Sequence, residues 1–333
     1  MSTGRRVWLL VVAAVVALPM AGALYQTLSV RRESTRFPPP GQLISVSGPG
    51  ERSSRRLHLI CLGQGEPTVI FEQSGLGGAL SSRLAREEVS ARTRVCSYDR
   101  TGMGWSDAGP TAISVGFLAD DLERLATRAG LRRPFILVPA SIGGLTAELF
   151  ARRHPDEVAG LVFVDAGNSG IEERIAAQLN WMEVESVCMV KTAARFGILR
   201  LFDPLGLRKE PADVSAQTIS RLYRVEPAGT LCAMARGYRT TMRELAAAPP
   251  LAPEIRLAVL VHERPDGLFP PGFAAYGRAV EREWLGLQQR FAERSRRGTW
   301  RVVPGSDHLI GNSQPHAVAS AVIEMVAEVR RAR

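Results

Sequence analysis

Lysine is nearly missing from this chain. Only Lys191 and Lys209 occur, so arginine supplies almost all of the 42 basic side chains, which against 33 acidic ones leave a formal charge of +9. The arginines are scattered, and no basic run interleaved with aromatics is present. That absence argues against a nucleic-acid partner and leaves a solvated basic surface with mild attraction to anionic lipid headgroups. Cysteine is scarce, at four residues, and no Cys/His spacing matches a zinc site. Neither a metal nor a cofactor is expected. Repeats and low-complexity tracts are also lacking.

What remains is a chain of 333 residues with ordinary apolar and charged content. It is long enough for one large domain with a sizeable core, or two ordinary ones. Charge is absent from one long stretch. Between Arg6 and Arg31, the 24 residues Val7 to Val30 carry none. As a helix they span roughly 36 Å, slightly more than the ~30 Å hydrocarbon core. The length favours a retained anchor over a cleaved signal peptide, for which Ala21-Gly22-Ala23 would be the cleavage site. Arg31, Arg32 and Arg36 rival Arg5 and Arg6 under the positive-inside rule. The preferred orientation keeps the N-terminus inside and the bulk of the chain outside, in an extracytoplasmic compartment. Phe37-Pro38-Pro39-Pro40-Gly41 then reads as a stiff spacer.

Downstream, short apolar runs alternate with helical periodicity. Strands are expected at 42–46 and 56–62 (a hairpin), 68–71, 92–98, 135–138, 160–164, 256–262 and 300–303. Helices are expected at 115–129, from Ser141 to about 153, and at 281–296 and 317–329. Such alternation means a mostly parallel sheet covered on both faces. Residues 166–253 are helical without clear strands and too long for a loop. They read as an inserted lid. The expected division is an N-terminal segment 1–36, core parts 37–165 and 254–333, and the lid 166–253.

Ser141 follows the buried run Phe135–Val138 at once and is itself followed by Ile142, Gly143 and Gly144. A serine between a strand and a helix fits a nucleophile elbow, which lifts the hydroxyl above the carboxyl edge of the sheet. An ordinary helix N-cap would also use serine.

Five segments in order carry a resemblance to the α/β-hydrolase superfamily. They are Ser74-Gly75-Leu76-Gly77-Gly78, the run Tyr98 to Asp107, the Ser141 elbow, Gly160 to Asp165, and Pro304-Gly305-Ser306-Asp307-His308. Trp284-Leu285-Gly286-Leu287-Gln288 further resembles a bacterial subgroup carrying an N-terminal membrane segment. The resemblance implies an α/β-hydrolase fold and the chain order serine, acid, histidine. Of the five histidines, only His308 lies late in the chain in a Gly/Ser/Asp-rich loop after a strand. His262 resembles a family position without a catalytic role. Two residues compete as the acid. Asp165 resembles the haloalkane dehalogenase placement and Asp266 the commoner superfamily placement, and Asp165 is preferred. The oxyanion hole is expected from the N–H of Ile142 with that of Leu76 or Gly77. In this fold Cys61 and Cys96 sit on neighbouring antiparallel strands, and Cys188 and Cys232 both lie in the lid. Two disulfides, Cys61–Cys96 and Cys188–Cys232, or four buried thiols, fit equally.

The elbow departs from the family at Pro139, where glycine is usual, and at Ala140, where histidine is usual. The expected function is a serine hydrolase cleaving carboxylic esters through an acyl-enzyme on Ser141, with a small-molecule ester as partner. The alternatives are an acyltransferase, a cofactor-free oxidoreductase, or a non-catalytic ligand-binding protein on the same scaffold. Leu201, Phe202, Leu205, Leu207 and Leu222 read mainly as the lid's own core, with an apolar substrate wall as the competing role.

Overall fold

In a computed structural model, residues 3–48, 54–73, 75, 77–170, 181–209, 212–264 and 274–332 are described. Eight strands form one sheet: β1 (Gln42–Ser45), β2 (Arg56–Leu62), β3 (Val69–Glu72), β4 (Val95–Tyr98), β5 (Phe135–Pro139), β6 (Val158–Val164), β7 (Arg256–His262) and β8 (Arg297–Val303). Their order is β1-β2-β4-β3-β5-β6-β7-β8. β2 runs antiparallel to β1 and β4, and every later pairing is parallel. The central strands are buried on both faces, which is why β5 and β6 read as continuous apolar runs rather than alternating ones.

The N-terminal helix α1 (Thr3–Arg36) is followed in the core by α2 (Arg83–Ser90), α3 (Val115–Arg128) and α4 (Gly143–Arg153). One face of the sheet packs Ile70, Leu137 and Phe163 against Leu122, Leu149 and Phe291. The other packs Phe71, Val138 and Val162 against Val89, Val322 and Val326. Between β6 and β7 the elements among the described residues are helices, Trp181–Arg195, Ile198–Phe202, Ala212–Leu222 and Val225–Ala247, with one short 3-10 turn. Cys188 and Cys232 are bonded between the first and last of these, and Cys61 and Cys96 are bonded across the β2–β4 register pair.

Several expected boundaries move. β4 begins at Val95 rather than 92, because the N–H groups of Arg92 and Thr93 still bond Val89 O at the end of α2. The helix expected at 281–296 is Ala274–Ala292, and β8 starts at Arg297 rather than 300. A turn intervenes because the Ser295 hydroxyl accepts the Arg297 N–H and its carbonyl accepts the Gly298 N–H. Leu201, Phe202 and Leu205 are not the lid's core: they are 58%, 78% and 49% exposed. The inward residue of that segment is Arg200, whose guanidinium bonds Gln26 and Glu33 of α1.

Candidate active site

β5 lies inside the sheet between β3 and β6, so whatever follows Pro139 emerges at the middle of the carboxyl edge. Ser141 sits there with φ of 50°, in the left-handed region that a β-carbon disfavours. The chain then enters α4 with Ile142 as its N-cap. This turn needs small residues behind it. A Cβ on Gly143 would lie 2.7 Å from Glu72 O, and one on Gly144 would overlap Gly167 O. The Gly167 N–H in turn bonds Ser141 O at 2.7 Å.

Pro139 fits because of where the ladder breaks. On the β3 side the next residue, Ala140, donates its N–H to Glu72 O at 2.9 Å. On the β6 side pairing runs to Leu137↔Leu161 and resumes at Ala140↔Val164. The missing N–H therefore falls in the interruption.

Asp165 follows β6 and His308 follows β8, both at the same edge. The Ser141 hydroxyl lies 3.0 Å from His308 Nε2, and His308 Nδ1 lies 2.6 Å from Asp165 Oδ2. A carboxylate only accepts, so Nδ1 carries the proton and Nε2 is left to accept from Ser141. Asp165 is fully buried, whereas the His308 side chain is 17% exposed.

Two partners of Asp165 carried no chemical role in the sequence. His262 Nδ1 donates to the same Oδ2 at 2.5 Å, and its backbone N–H approaches Oδ1 at 3.4 Å. Trp284 Nε1 donates to Oδ1 at 2.9 Å. Gln288, one turn on from Trp284, donates to Ala166 O at 2.7 Å. The Trp284–Gln288 stretch thus grips the loop that carries the acid. Burial works against charge on Asp165, but the hydrogen bonds from His262 and His308 outweigh it and hold its pKa below the ordinary carboxylate value.

Asp165, His262 and His308 bring their ligand atoms within 4.8 Å of one another. Both Nδ1 atoms point at a single oxygen at 2.5 and 2.6 Å. Ligands on zinc bonds of about 2.0 Å stand further apart than that, so these separations are those of a hydrogen-bond set.

The remaining expected residues divide. Leu76 and Asp266 lie outside the described residues. Gly75 lies beside the elbow, where a Cβ would stand 3.5 Å from Ile142 Cγ2; Gly77 is half-buried in the same loop. Asp307 is engaged within its own loop, where it accepts the Leu309 N–H at 2.9 Å. Asp99 ties its loop together, accepting from Ala79 N and Trp105 N and pairing with His58 at 2.8 Å.

Beneath the elbow lies a second buried carboxyl. Glu72 receives the Tyr98 hydroxyl and stands 3.5 Å from Arg100 Nε. Burial pushes its pKa up to about 8, with Arg100 pulling only part of the way back.

Residues 67–196 match the family model of the alpha/beta hydrolase fold. An uncharacterized protein of Schizosaccharomyces pombe is 35% identical over 161 residues, 39% of this chain and 29% of that one. A pimeloyl-[acyl-carrier protein] methyl ester esterase of Chromobacterium violaceum is 38% identical over 103 residues, 31% of this chain and 38% of that one. The chain spans less than half the length of these curated relatives. Among solved structures, a thermophilic esterase from Thermogutta terrifontis aligns with TM-score 0.64 and 22% identity, covering 87% of this chain and 99% of that one. A Bacillus megaterium epoxide hydrolase aligns with TM-score 0.62 and 18% identity, covering 86% and 100%. At such identities the structural likeness speaks for the fold alone. Sheet order, elbow and family match agree, and the chain has the α/β-hydrolase fold.

Proposed function

We propose that the protein is a membrane-anchored hydrolase that cleaves carboxylic esters through an acyl-enzyme on Ser141. The observation that carries this reading is the continuous chain of contacts from Ser141 Oγ through His308 to Asp165. In the first half-reaction Ser141 Oγ attacks the ester carbonyl and its proton passes to His308 Nε2. Asp165, rather than Asp266, holds the imidazole and stabilises the imidazolium. The N–H of Ile142, with that of Leu76 or Gly77, receives the developing oxyanion, where one donor typically contributes ~10²–10³ in rate. His308 then protonates the departing alkoxide. In the second half-reaction it deprotonates the water that attacks the acyl-enzyme, and Ser141 is regenerated.

The name of the Chromobacterium violaceum relative, a methyl ester esterase, supports ester cleavage. A serine at the elbow also argues against haloalkane dehalogenation, which uses an aspartate there. Residues 166–253 act as a lid over the carboxyl edge. The apolar N-terminal helix, with mean hydropathy 2.5 over its most apolar window, is the anchor. Two disulfides fit an oxidising, extracytoplasmic compartment.

The test is turnover of p-nitrophenyl esters of increasing acyl length by the full chain in detergent. Product analysis with and without a competing alcohol separates hydrolysis from acyl transfer. Hydrolysis by the wild type and none by Ser141→Ala is the expected result. Tight ligand binding without turnover would favour the non-catalytic alternative instead.

A further inference from the structure

The described surface outside α1 carries eleven exposed large apolar side chains, and six of them lie in one stretch: Met189, Val190, Ile198, Leu201, Phe202 and Leu205. In sequence they flank Phe196, Gly197 and Arg200, where this segment touches the N-terminal helix. Gly22 meets the Phe196 carbonyl so closely that a Cβ there would overlap it, and a Cβ on Gly197 would lie 2.9 Å from the Tyr25 ring. Gln26 Nε2 donates to Tyr223 O at 2.9 Å and its Oε1 accepts Arg200 Nε at 2.7 Å. Arg200 also grips Glu33 with both terminal nitrogens, at 2.5 and 2.8 Å.

These contacts fix the lid's height against the helix, and helix geometry converts height into membrane depth. A hydrocarbon core of about 30 Å takes about 20 helical residues. Counted from Val7, the first residue after Arg5 and Arg6, the core ends near Gln26. Gly22 then lies within the outer edge of the hydrocarbon, and Phe196 and Gly197 lie at the same level. Glu33, about two turns beyond Gln26, is in the headgroup region or beyond it.

We propose that the lid segment Met189–Leu205 is seated in the outer membrane interface beside α1, with a lipid bilayer as its partner. This rests on the anchor reading given above. Ile198, Leu201, Phe202 and Leu205 would then lie among acyl chains and headgroups, as the apolar face of an interfacial helix does. The charges around the segment suit that position. Arg195, Arg208 and Lys209 are exposed and basic, as are Arg31 and Arg32 on α1. The nearby acid Asp203 is occupied internally, accepting from Leu207 N, Arg208 N and the Tyr223 hydroxyl. Glu33 is paired with Arg200. The segment therefore shows lipid an apolar surface rimmed by cations, which suits anionic headgroups. A lid held there would open toward esters dissolved in the bilayer.

Depth can be read directly in the full chain. All four native cysteines are in disulfides, so one introduced cysteine accepts a thiol-reactive, polarity-sensitive dye. Four single variants, Val12→Cys, Phe202→Cys, Leu205→Cys and Trp300→Cys, are labelled and reconstituted in vesicles of phosphatidylcholine and phosphatidylglycerol containing lipids brominated at shallow or deep acyl positions. The expected result is quenching at position 12 by deep bromines, at 202 and 205 by shallow bromines, and none at 300 on β8. Quenching at 12 with water-like emission at 202 and 205 overturns the seated lid and leaves the anchor standing. Absence of quenching at 12 overturns the anchor and the inference with it.

Discussion

At the scale of the residue, the site is a carboxylate shared by two histidines. Asp165 Oδ2 receives both Nδ1 protons while Oδ1 is fixed by Trp284, so the acid has little freedom to rotate. Asp165→Asn replaces an acceptor with a group that can present a donor to His308 and upset its tautomer; kcat is expected to fall about 10⁴-fold with the fold intact. In the proposed mechanism His262 acts as a positioning residue through its hydrogen bond to Asp165. His262→Phe removes a hydrogen bond that lowers the Asp165 pKa, so that pKa rises. Expected are a lower kcat with little change in KM and an acid limb of the kcat/KM–pH profile displaced to higher pH. Partial recovery in His262→Asn, which keeps a donor, separates positioning from packing. Steady-state kinetics from pH 4 to 9 check both.

Glu72 makes a separate statement about pH and stability. Its carboxyl titrates near the ordinary 4.5 when unfolded and at about 8 when folded. Between those values the folded protein binds more protons, so stability falls as pH rises. The contribution of Glu72 is complete below pH 4.5 and is lost as pH climbs through about 8. Glu72→Gln, which stays neutral, is expected to show a flatter fall in urea midpoint between pH 5 and 9. An equal fall in both proteins would mean that Glu72 is charged in the folded state.

At the scale of the element, the elbow depends on α4 approaching β3 and the loop after β6 at backbone contact. Gly144→Ala places a Cβ against the Gly167 carbonyl. Expected are a loss on the order of 1–3 kcal/mol by denaturant titration and a loss of activity, because α4 and with it Ser141 must move. In the lid, Cys188–Cys232 ties the helix Trp181–Arg195 to Val225–Ala247. The paired change of both cysteines to alanine is expected to cost about 2–4 kcal/mol, visible as a lower Tm.

Elements were the most legible part of the sequence where the signal was local. The apolar run before Ser141, the strand end at Asp165 and the Gly-Ser-Asp-His loop each announce themselves within ten residues, and the structure brings those three side chains into contact. His262 and Trp284 reach Asp165 across 97 and 119 residues of sequence. No local pattern reports such a contact. How the departure at Pro139 is accommodated was not legible, because strand propensity does not say where a ladder is interrupted. Leu201 and Phe202 looked like core because apolar residues in a helical stretch do not reveal which solvent they face.

At the scale of the whole molecule, the α/β-hydrolase fold carries between β6 and β7 a helical segment that Arg200 ties to the apolar N-terminal helix. That helix would make the protein behave as an integral component of membranes, resisting extraction by alkaline carbonate. The central claim concerns Ser141. A fluorophosphonate probe, applied to the full chain in detergent and mapped by mass spectrometry, tests it most directly. A single phosphonylated residue, Ser141, is expected, with labelling abolished in Ser141→Ala and strongly reduced in His308→Ala. Folded wild-type protein that takes no label, or takes it on a different serine, would contradict it.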